Sequence, residues 1–349
     1  MKESIAARAH SEAGSQPLIS VIITNFNYAN FVGEAISSVL SQTYPYVECI
    51  VVDDGSTDNS REVIESFGNV KSIFRSNAGQ AQAGLTGLSS ISGSIVVFLD
   101  SDDYLLPEAC ATIATSWNAG VAAILYRLKV LRGEKFSDEL LPSQSFVTET
   151  APEFIKMYGY LPAAPMSGNA YAPDVVRRIF AEGLHLDKNG LDAFLILCSP
   201  FLGRVVAVDR PLGVYRVHSA NISMFAKPTL QSVKSRIYYE YWAQRSAAIF
   251  DRSISGNSGR WSFLRGPYNL KWYILTKHIR FPEFDIPPLP LWKCVVECCR
   301  EFMVAPNVRL DKRVINCALV SLFSILPRRA KTRIVTSFYR LETPGCANG

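Results

Sequence analysis

Apolar runs alternate with amphipathic segments over the first 105 residues of the chain. Strands are predicted where β-branched residues cluster, at 18–24, 47–52, 70–74 and 95–99. Helices are predicted where apolar residues recur at helical spacing, at 31–42, from about 59, and at 80–90. Alternating strands and helices predict βαβ units and a parallel sheet, with the strand-to-helix turns together at its carboxyl edge. Ligands of such sheets bind along that edge.

The pattern continues less regularly to residue 225 and then changes. Helices are expected at 107–117, 173–181 and 191–197, strands at 121–130, 167–172, 204–208 and 212–217, and a loop at 132–150. From residue 228 onward the sequence is helical in pattern, aromatic and basic. We therefore expect a flexible leader at 1–16, an α/β domain at 17–225 and a helical, basic C-terminal region at 226–349.

Two acidic turns directly follow predicted strands. Asp53–Asp54 ends the second strand, and Asp100–Ser101–Asp102–Asp103 ends the fourth. Both should lie at the same edge of the sheet, where carboxylates without partners would repel one another unless a cation compensates them. Mg²⁺ and Mn²⁺ prefer such oxygen ligands. The alternative is that these residues only cap helices; Asp58 is the better cap of the helix after it, which would leave Asp54 for a ligand.

The charge is distributed unevenly over the 349 residues. Residues 1–227 contain 17 Lys and Arg against 23 Asp and Glu, a net charge of −6, whereas residues 228–349 contain 19 against 8, a net of +11. A basic, aromatic region suggests an anionic partner surface. We expect an anionic membrane surface to contact residues 314–340, with a helical cap packed on the α/β domain as the alternative. Nucleic acid is not expected, because no nucleic-acid-binding motif is present.

Several further classes of protein are not expected from this sequence. No run approaches the roughly 20 apolar residues that span a bilayer, so a processive membrane synthase is not expected. The eight cysteines are scattered and lack zinc-finger spacing, so we expect reduced thiols. The segment TNFNYANFVG has no glycine-rich phosphate loop with a basic residue, which argues against a nucleotidyltransferase that forms sugar nucleotides.

A resemblance to the family 2 glycosyltransferases of the GT-A fold rests on three runs: PLISVIITNFNYANFVGEAISSVLSQTYPYVECIVVDDGSTDNS, SNAGQ and GSIVVFLDSDDYLLP. It covers residues 17–110 strongly and continues more loosely to about 223. The resemblance implies an α/β fold with a mostly parallel central sheet flanked by helices and followed by a helical C-terminal extension. Residues 17–110 would be the nucleotide-binding half, and residues 111–225 the acceptor half.

The resemblance also implies roles for individual residues. Asp192 matches the catalytic base, and Asp102 and His218 match metal-binding positions for Mn²⁺ or Mg²⁺. The acceptor side would include Ser167, Gly168 and Asn169. Binding of the nucleotide-sugar is assigned to Thr24, Phe26, Asn27, Asp53, Asp54, Asn77, Gly79, Asp100 and Ser101.

Three positions depart from the family pattern. Leu191 stands where an acidic residue is common, Leu85 stands where Asn is common, and Asn25 replaces Pro or Thr. Alternative roles also stay open for three of the residues: Asp192 could cap a helix, His218 could be an ordinary loop residue, and Arg216 could pair with the diphosphate or with a nearby Asp.

The implied function is that of an inverting glycosyltransferase. It would move a sugar from a nucleotide-sugar, expected to be UDP-linked, to an acceptor hydroxyl of a glycan or glycolipid. The expected pathway is the synthesis of cell-surface polysaccharide, lipopolysaccharide or glycolipid. The expected location is cytoplasmic, peripheral on the inner face of the plasma membrane. The alternative is a non-catalytic relative that binds a nucleotide-sugar or acts as a scaffold.

Overall fold

The computed structural model of the chain describes residues 16–182, 191–218, 242–251, 290–304 and 310–327, with single positions at 271, 274, 330, 331 and 334. Residues 1–15, most of the expected leader, lie outside the described residues. So do 183–190, 219–241 and 335–349.

The first half of the α/β domain follows the predicted order of elements. The elements are β1 (Ile19–Asn25), α1 (Ala29–Leu40), β2 (Val47–Asp53), α2 (Ser60–Glu65), β3 (Lys71–Phe74), α3 (Gln80–Leu88) and β4 (Ile95–Asp100). All four strands are parallel, in the order β3-β2-β1-β4. The register pairs Asn25 with Asp53 and Thr24 with Asp100, so both acidic turns begin at one edge of the sheet.

The second half extends the same sheet. Its elements are β5 (Tyr104–Leu105), α4 (Ala109–Ser116), β6 (Val121–Arg132), β7 (Lys135–Leu141), α5 (Ala151–Tyr158), β8 (Asn169–Tyr171), α6 (Pro173–Ala181), α7 (Leu191–Cys198) and β9 (Arg204–Val217). The strand order is β3-β2-β1-β4-β8-β6-β9-β5, and β7 pairs with residues 128–132 of β6, beyond the part of β6 that pairs with β8. Strand β8 is antiparallel to both β4 and β6, so β6 and β9 point in the same direction as β1 to β4. Six of the nine strands therefore share one direction, as a mostly parallel sheet requires, and β5, β7 and β8 run the other way.

Two expectations about this half were wrong. The expected loop at 132–150 contains strand β7, which pairs with β6 across a turn at Gly133, where φ is +60°. The two strands expected at 204–208 and 212–217 are one strand, β9. Pro211 cannot donate a backbone hydrogen bond and should interrupt a strand, but it lies where the pairing with β6 shifts register. A bulge of this kind accommodates proline without ending the strand.

Glycines in α3 let two other elements approach this helix closely. A Cβ at Gly87 would lie 2.4 Å from Ile22 Cγ2 on β1, and a Cβ at Gly84 would lie 2.9 Å from Leu191 Cδ2. The second contact seats the first turn of α7 on α3. Leu191, which departs from the family pattern, is therefore a buried core residue at this contact.

The C-terminal region is helical where it is described, as expected. A helical segment covers residues 242–250, and helices α8 (Leu291–Val304) and α9 (Leu310–Ile325) follow. Among the helices that the structure describes, none combines the length and the hydropathy needed to cross a bilayer.

Candidate active site

Three carboxylates come together at the end of β4 and in the turn that follows it. One oxygen each from Asp100, Asp102 and Asp103 lies within 4.8 Å of the others. Gln80, the first residue of α3, donates a 2.6 Å hydrogen bond from Nε2 to Asp100 Oδ1. Burial, followed by the negative charges of Asp102 and Asp192, raises the pKa of Asp100 to about 8. The cluster therefore holds negative charge at a cost that a cation would relieve.

Asp103 holds this turn to two other parts of the fold. Its Oδ2 accepts a 2.6 Å hydrogen bond from Ser167 Oγ, and its Oδ1 accepts one of 2.9 Å from the Arg216 backbone N–H. The carboxyl group is buried, and burial together with the charges of Asp102 and Asp100 raises its pKa well above the ordinary range. Asp103 thus connects β4 to the segment before β8 and to the end of β9.

The segment Ser167–Gly168–Asn169 is buried and bonded within the protein. Ser167 Oγ also accepts a 3.1 Å hydrogen bond from the Asp100 N–H. Asn169 Nδ2 donates to the carbonyl oxygens of Ala164 and Pro165, at 3.1 and 2.9 Å. These contacts support the shape of the acidic turn, and the expected role on the acceptor side stays a prediction.

His218 lies beside Asp102, and its role as a metal ligand stays a prediction. Its Nε2 is 3.0 Å from Asp102 Oδ2, and its ring stacks on Phe31 with centroids 4.6 Å apart. Tyr28 meets the same imidazole edge-on at 5.6 Å. Burial, and then the charges of Asp102, Asp100 and Asp103, raise the pKa of the Tyr28 hydroxyl, which therefore keeps its proton. Tyr28 was not among the sequence candidates, although it follows Asn27 directly.

Arg216 joins β9 to the acidic turn and to helix α1. Its Nε donates a 2.9 Å hydrogen bond to the Asp102 carbonyl oxygen, and its Nη2 lies 2.7 Å from Glu34 Oε2. The guanidinium also lies over the rings of Phe31 and Tyr104, 5.1 and 5.4 Å from their centroids. Glu34 carried no sequence signal, because its partner is 182 positions away.

The carboxylate of Asp53 fixes the loop between β1 and α1. Asp53 Oδ1 accepts hydrogen bonds from Asn25 Nδ2 at 2.8 Å and from Ser56 Oγ at 2.5 Å, and Oδ2 accepts the Ser56 N–H at 3.0 Å. Ser56 Oγ in turn accepts the Asn27 N–H at 2.9 Å. Asn25, which departs from the family pattern, is thus part of the link between β1 and β2.

Asp54 has partners that the sequence did not reveal. It accepts the Ala78 and Gly79 N–H groups, with distances of 3.1 Å and 2.6 Å to Oδ2, and its Oδ1 lies 3.2 Å from Arg75 Nε. Asp58 does accept the N–H of Ser60 at the start of α2. Asp54 bonds instead to the two residues directly before α3, and its role as a ligand of the nucleotide stays a prediction.

The remaining nucleotide-side candidates lie along the same edge. Thr24 is beside Asp100 in the sheet, and Ser101 is buried in the acidic turn. Asn27 adopts a positive φ of 59° and accepts the Thr57 N–H at 2.7 Å, while the Phe26 side chain is exposed. Gly55 allows Asn77 to approach, since a Cβ on Gly55 would lie 2.7 Å from the Asn77 nitrogen.

Asp192 lies on the first turn of α7, close enough to the acidic cluster for its charge to act on Asp100. Burial is the largest cause of the raised pKa of both Asp100 and the Tyr171 hydroxyl, and the negative charge of Asp192 raises both pKa values further. Asp192 Oδ1 accepts the N–H of the next residue, Ala193, at 2.9 Å, and the alternative of a helix-capping role stays open. Positions 100 and 192 are thus brought into one site, although about ninety residues separate them.

The donor set fits a divalent cation that prefers oxygen. Clustered carboxylates with a neighbouring imidazole suit Mn²⁺ or Mg²⁺ more than a metal that selects thiolates. Within the described residues, this is the one group of three or more potential metal ligands.

The comparisons with known proteins agree with this fold. The sequence model of glycosyl transferase family 2 matches residues 20–161. An uncharacterized glycosyltransferase of Nostoc sp. (strain PCC 7120) is 35% identical over 216 residues, covering 60% of this chain and 67% of that protein. Chondroitin synthase of Pasteurella multocida is 40% identical over 97 residues, but this match spans only 10% of the synthase.

Solved structures share the fold at low sequence identity. TarS of S. aureus matches with a TM-score of 0.50 and 16% identity, covering 93% of this chain and 54% of that chain. TarS 1–349 in complex with UDP-GlcNAc matches with a TM-score of 0.51 and 14% identity, covering 92% of each. The fold is therefore that of the GT-A glycosyltransferases. The chain belongs to glycosyl transferase family 2.

Proposed function

We propose that this protein is a metal-dependent, inverting glycosyltransferase that moves a sugar from a UDP-sugar to an acceptor hydroxyl. The observation that carries the proposal is the juxtaposition of Asp192 with the acidic turn, whose Asp100 has a pKa raised in part by the Asp192 charge. A candidate base thus lies beside the residues that would hold the leaving diphosphate.

Donor binding would use the carboxyl edge of β1, β2 and β4. Asp54 and Gly79, which share a hydrogen bond, would contact the nucleoside, and Phe26 and Asn27, in the loop between β1 and α1, would border it. The structural relative TarS has been solved with UDP-GlcNAc, which supports a UDP-linked donor of the hexosyl or N-acetylhexosaminyl class. Asp53 would contribute by fixing the loop, because both of its oxygens are bonded to Asn25 or Ser56.

Asp102, with His218 and Asp100 beside it, would hold Mn²⁺ or Mg²⁺. Such an ion neutralises the charge that develops on the leaving diphosphate. Tyr28, which keeps its proton next to the acidic turn, can donate a hydrogen bond to a phosphate oxygen in the same place. Arg216 would keep the turn in position through the Asp102 carbonyl.

The reaction would be a single displacement. The acceptor oxygen forms a bond to the anomeric carbon on the face opposite the leaving group, and the bond from that carbon to the diphosphate oxygen breaks. The Asp192 carboxylate takes the proton of the acceptor hydroxyl. Attack from the opposite face inverts the configuration at the anomeric carbon.

The acceptor would be a glycan or glycolipid of cell-surface polysaccharide or lipopolysaccharide synthesis. A lipid-carried acceptor would place the enzyme in the cytoplasm at the inner face of the plasma membrane. The expected contact through 314–340 falls partly on residues that the structure describes, up to position 334.

A nucleotide-release assay with a panel of sugar nucleotides, with and without Mn²⁺ or Mg²⁺, tests the proposal. We expect release from UDP-sugars only with a divalent ion, and we expect Asp192→Asn to bind UDP normally while losing at least a hundredfold in turnover, about 2.7 kcal/mol. Asp138→Asn, an exposed acid on β7, is the matched control. Unaffected turnover in Asp192→Asn would refute the base assignment, and activity without metal would refute the metal role. UDP-sugar binding without any transfer would favour a non-catalytic relative.

A further inference from the structure

Helix α9 turns an apolar side outward. At 3.6 residues per turn, the buried residues Asn316, Val320 and Phe323 mark the side of the helix that faces the protein. Large apolar side chains continue around the opposite side. Leu310, Val314, Leu322 and Ile325 are 67%, 55%, 63% and 78% exposed. A surface helix of a globular domain normally presents polar residues there, so this side of α9 needs an apolar environment.

Helix α8 carries a second exposed apolar line. Trp292 and Val296 are 66% and 61% exposed, and Cys299 continues the same line one turn further. Cys299 also contacts α9: its Sγ lies 3.9 Å from the Cys317 carbonyl oxygen, and Cys317 Sγ lies 3.6 Å from the Cys299 carbonyl oxygen. Cys317 itself follows Leu310 and Val314 at helical spacing.

The two lines therefore flank one helix-to-helix contact. We call the resulting surface the hairpin face, defined by Trp292, Val296, Leu310, Val314, Leu322 and Ile325. Scattered exposed apolar residues are normal on a protein surface, whereas six large ones on two helices that contact each other indicate an interaction surface.

The charges around the hairpin face indicate its partner. Between positions 309 and 333 the sequence has seven basic residues and one acid, Asp311, a net charge of 7 − 1 = +6. The basic residues lie on both sides of the apolar line of α9 in sequence: Arg309, Lys312 and Arg313 at its start, and Arg328, Arg329, Lys331 and Arg333 after its end. Apolar side chains bordered by cations are the pattern of helices that lie in the interface of an anionic bilayer.

We propose that α8 and α9 dock together on the surface of an anionic phospholipid bilayer. Both helices would lie in the membrane plane, with the hairpin face in contact with the acyl boundary and the basic residues at the headgroup phosphates. Trp292, whose ring lies 5.5 Å from Lys293 Nζ, is the type of residue that anchors at this depth. The contact differs from that of a single basic helix at 314–340, because α8 supplies part of it. It rests on the proposed function only in that a lipid-carried acceptor would lie on the same membrane.

Vesicle co-sedimentation of the full chain tests the docking surface. The vesicles contain phosphatidylcholine alone, or phosphatidylcholine with phosphatidylglycerol at about 7:3. We expect binding to the anionic vesicles, weakened at least tenfold by Val314→Glu combined with Leu322→Glu. Phe136→Glu is the matched control, because Phe136 is 57% exposed but lies on β7, and it should bind as the wild type does. Binding of the double variant at wild-type strength, or no preference for anionic vesicles, would overturn the proposal.

Two further measurements distinguish apolar insertion from simple charge repulsion and from self-association. Leu310→Ser combined with Ile325→Ser removes apolar area without adding acid, and it should also weaken vesicle binding while UDP binding and the melting temperature stay unchanged. Light scattering after gel filtration measures self-association. If the protein does not bind vesicles but forms a dimer that the Val314→Glu, Leu322→Glu variant dissociates, the hairpin face binds a second copy of the chain. That result would overturn the membrane proposal. Vesicle binding without glycosyl transfer would count against the proposed function alone.

Discussion

Ser167 donates a 2.6 Å hydrogen bond from Oγ to Asp103 Oδ2, across 64 positions of the sequence. The same oxygen accepts the N–H of Asp100 at 3.1 Å. One buried hydroxyl therefore contacts both ends of the acidic turn, and the position of the turn depends on the segment before β8.

Replacement of Ser167 by Ala should destabilise the protein and the site together. The buried carboxyl of Asp103 would lose a donor, which costs about 1–3 kcal/mol in the free energy of unfolding. We also expect weaker Mn²⁺ binding, because the turn loses its support. Denaturant unfolding and Mn²⁺ titration of UDP-sugar turnover measure the two effects. Ser37→Ala is the control, since that hydroxyl is exposed and bonds only to Gly33 in its own helix. Equal behaviour of the two variants would contradict the role of Ser167.

Replacement of Arg216 by Lys should lower the turnover of the enzyme. The ammonium group has no planar fork to bridge the Asp102 carbonyl and Glu34 or to lie over Phe31 and Tyr104. We expect turnover to fall by about tenfold, about 1.4 kcal/mol, with little change in the melting temperature. Arg132→Lys, in the exposed pair with Glu139, serves as the comparison and should change neither quantity. The prediction fails if the Arg216→Lys enzyme keeps full turnover.

Stabilisation by a divalent ion should grow with pH. The pKa of Asp100 is raised to about 8, above its value of about 3.9 in an unfolded chain. The stability contributed by its proton is therefore complete below about pH 4 and is lost as the pH rises through 8. A bound cation offsets the repulsion among the carboxylates of the acidic turn once Asp100 is ionised. The increase in melting temperature caused by Mn²⁺ should therefore be larger at about pH 8.5 than at about pH 6.

Differential scanning fluorimetry at both pH values checks this dependence on the metal-free and Mn²⁺-loaded protein. Asp102→Ala should abolish the Mn²⁺ effect at both, whereas Asp138→Asn should leave it intact. An increase that is equal at the two pH values in the wild type would show that Asp100 does not titrate in this range.

Asp54→Asn should separate a structural role from nucleotide recognition. The amide offers one acceptor oxygen to the Ala78 and Gly79 N–H groups and loses the ion pair with Arg75, so we expect a lower melting temperature. If Asp54 also recognises the nucleoside, UDP affinity measured by calorimetry should fall about tenfold. Asp174→Asn, an exposed acid in the first turn of α6, provides the reference. A lower melting temperature with unchanged UDP affinity would limit Asp54 to positioning α3.

Much of the fold followed from local patterns. The strands β1, β2 and β4 are short apolar runs whose residues are mostly buried, and such runs are accommodated in the middle of a sheet covered by helices, whereas β3 is a partly exposed strand at its edge. Strand ends align at one edge in parallel βαβ units, so Asp53–Asp54 and Asp100–Asp103 were predictable as neighbours. Strand β7 was missed because its polar residues face solvent, and β9 was divided because Pro211 is tolerated only through the register shift with β6.

The sequence by itself determined the sheet, its carboxyl edge and the acidic residues along that edge, because hydrophobic periodicity and chain connectivity act over short distances. Only the tertiary structure decided how those residues are held. The contacts of Ser167 with Asp103, and of Arg216 with Glu34, join parts of the chain that no local pattern relates. They exist because β8 enters the sheet antiparallel between β4 and β6 and because β9 ends beside the acidic turn.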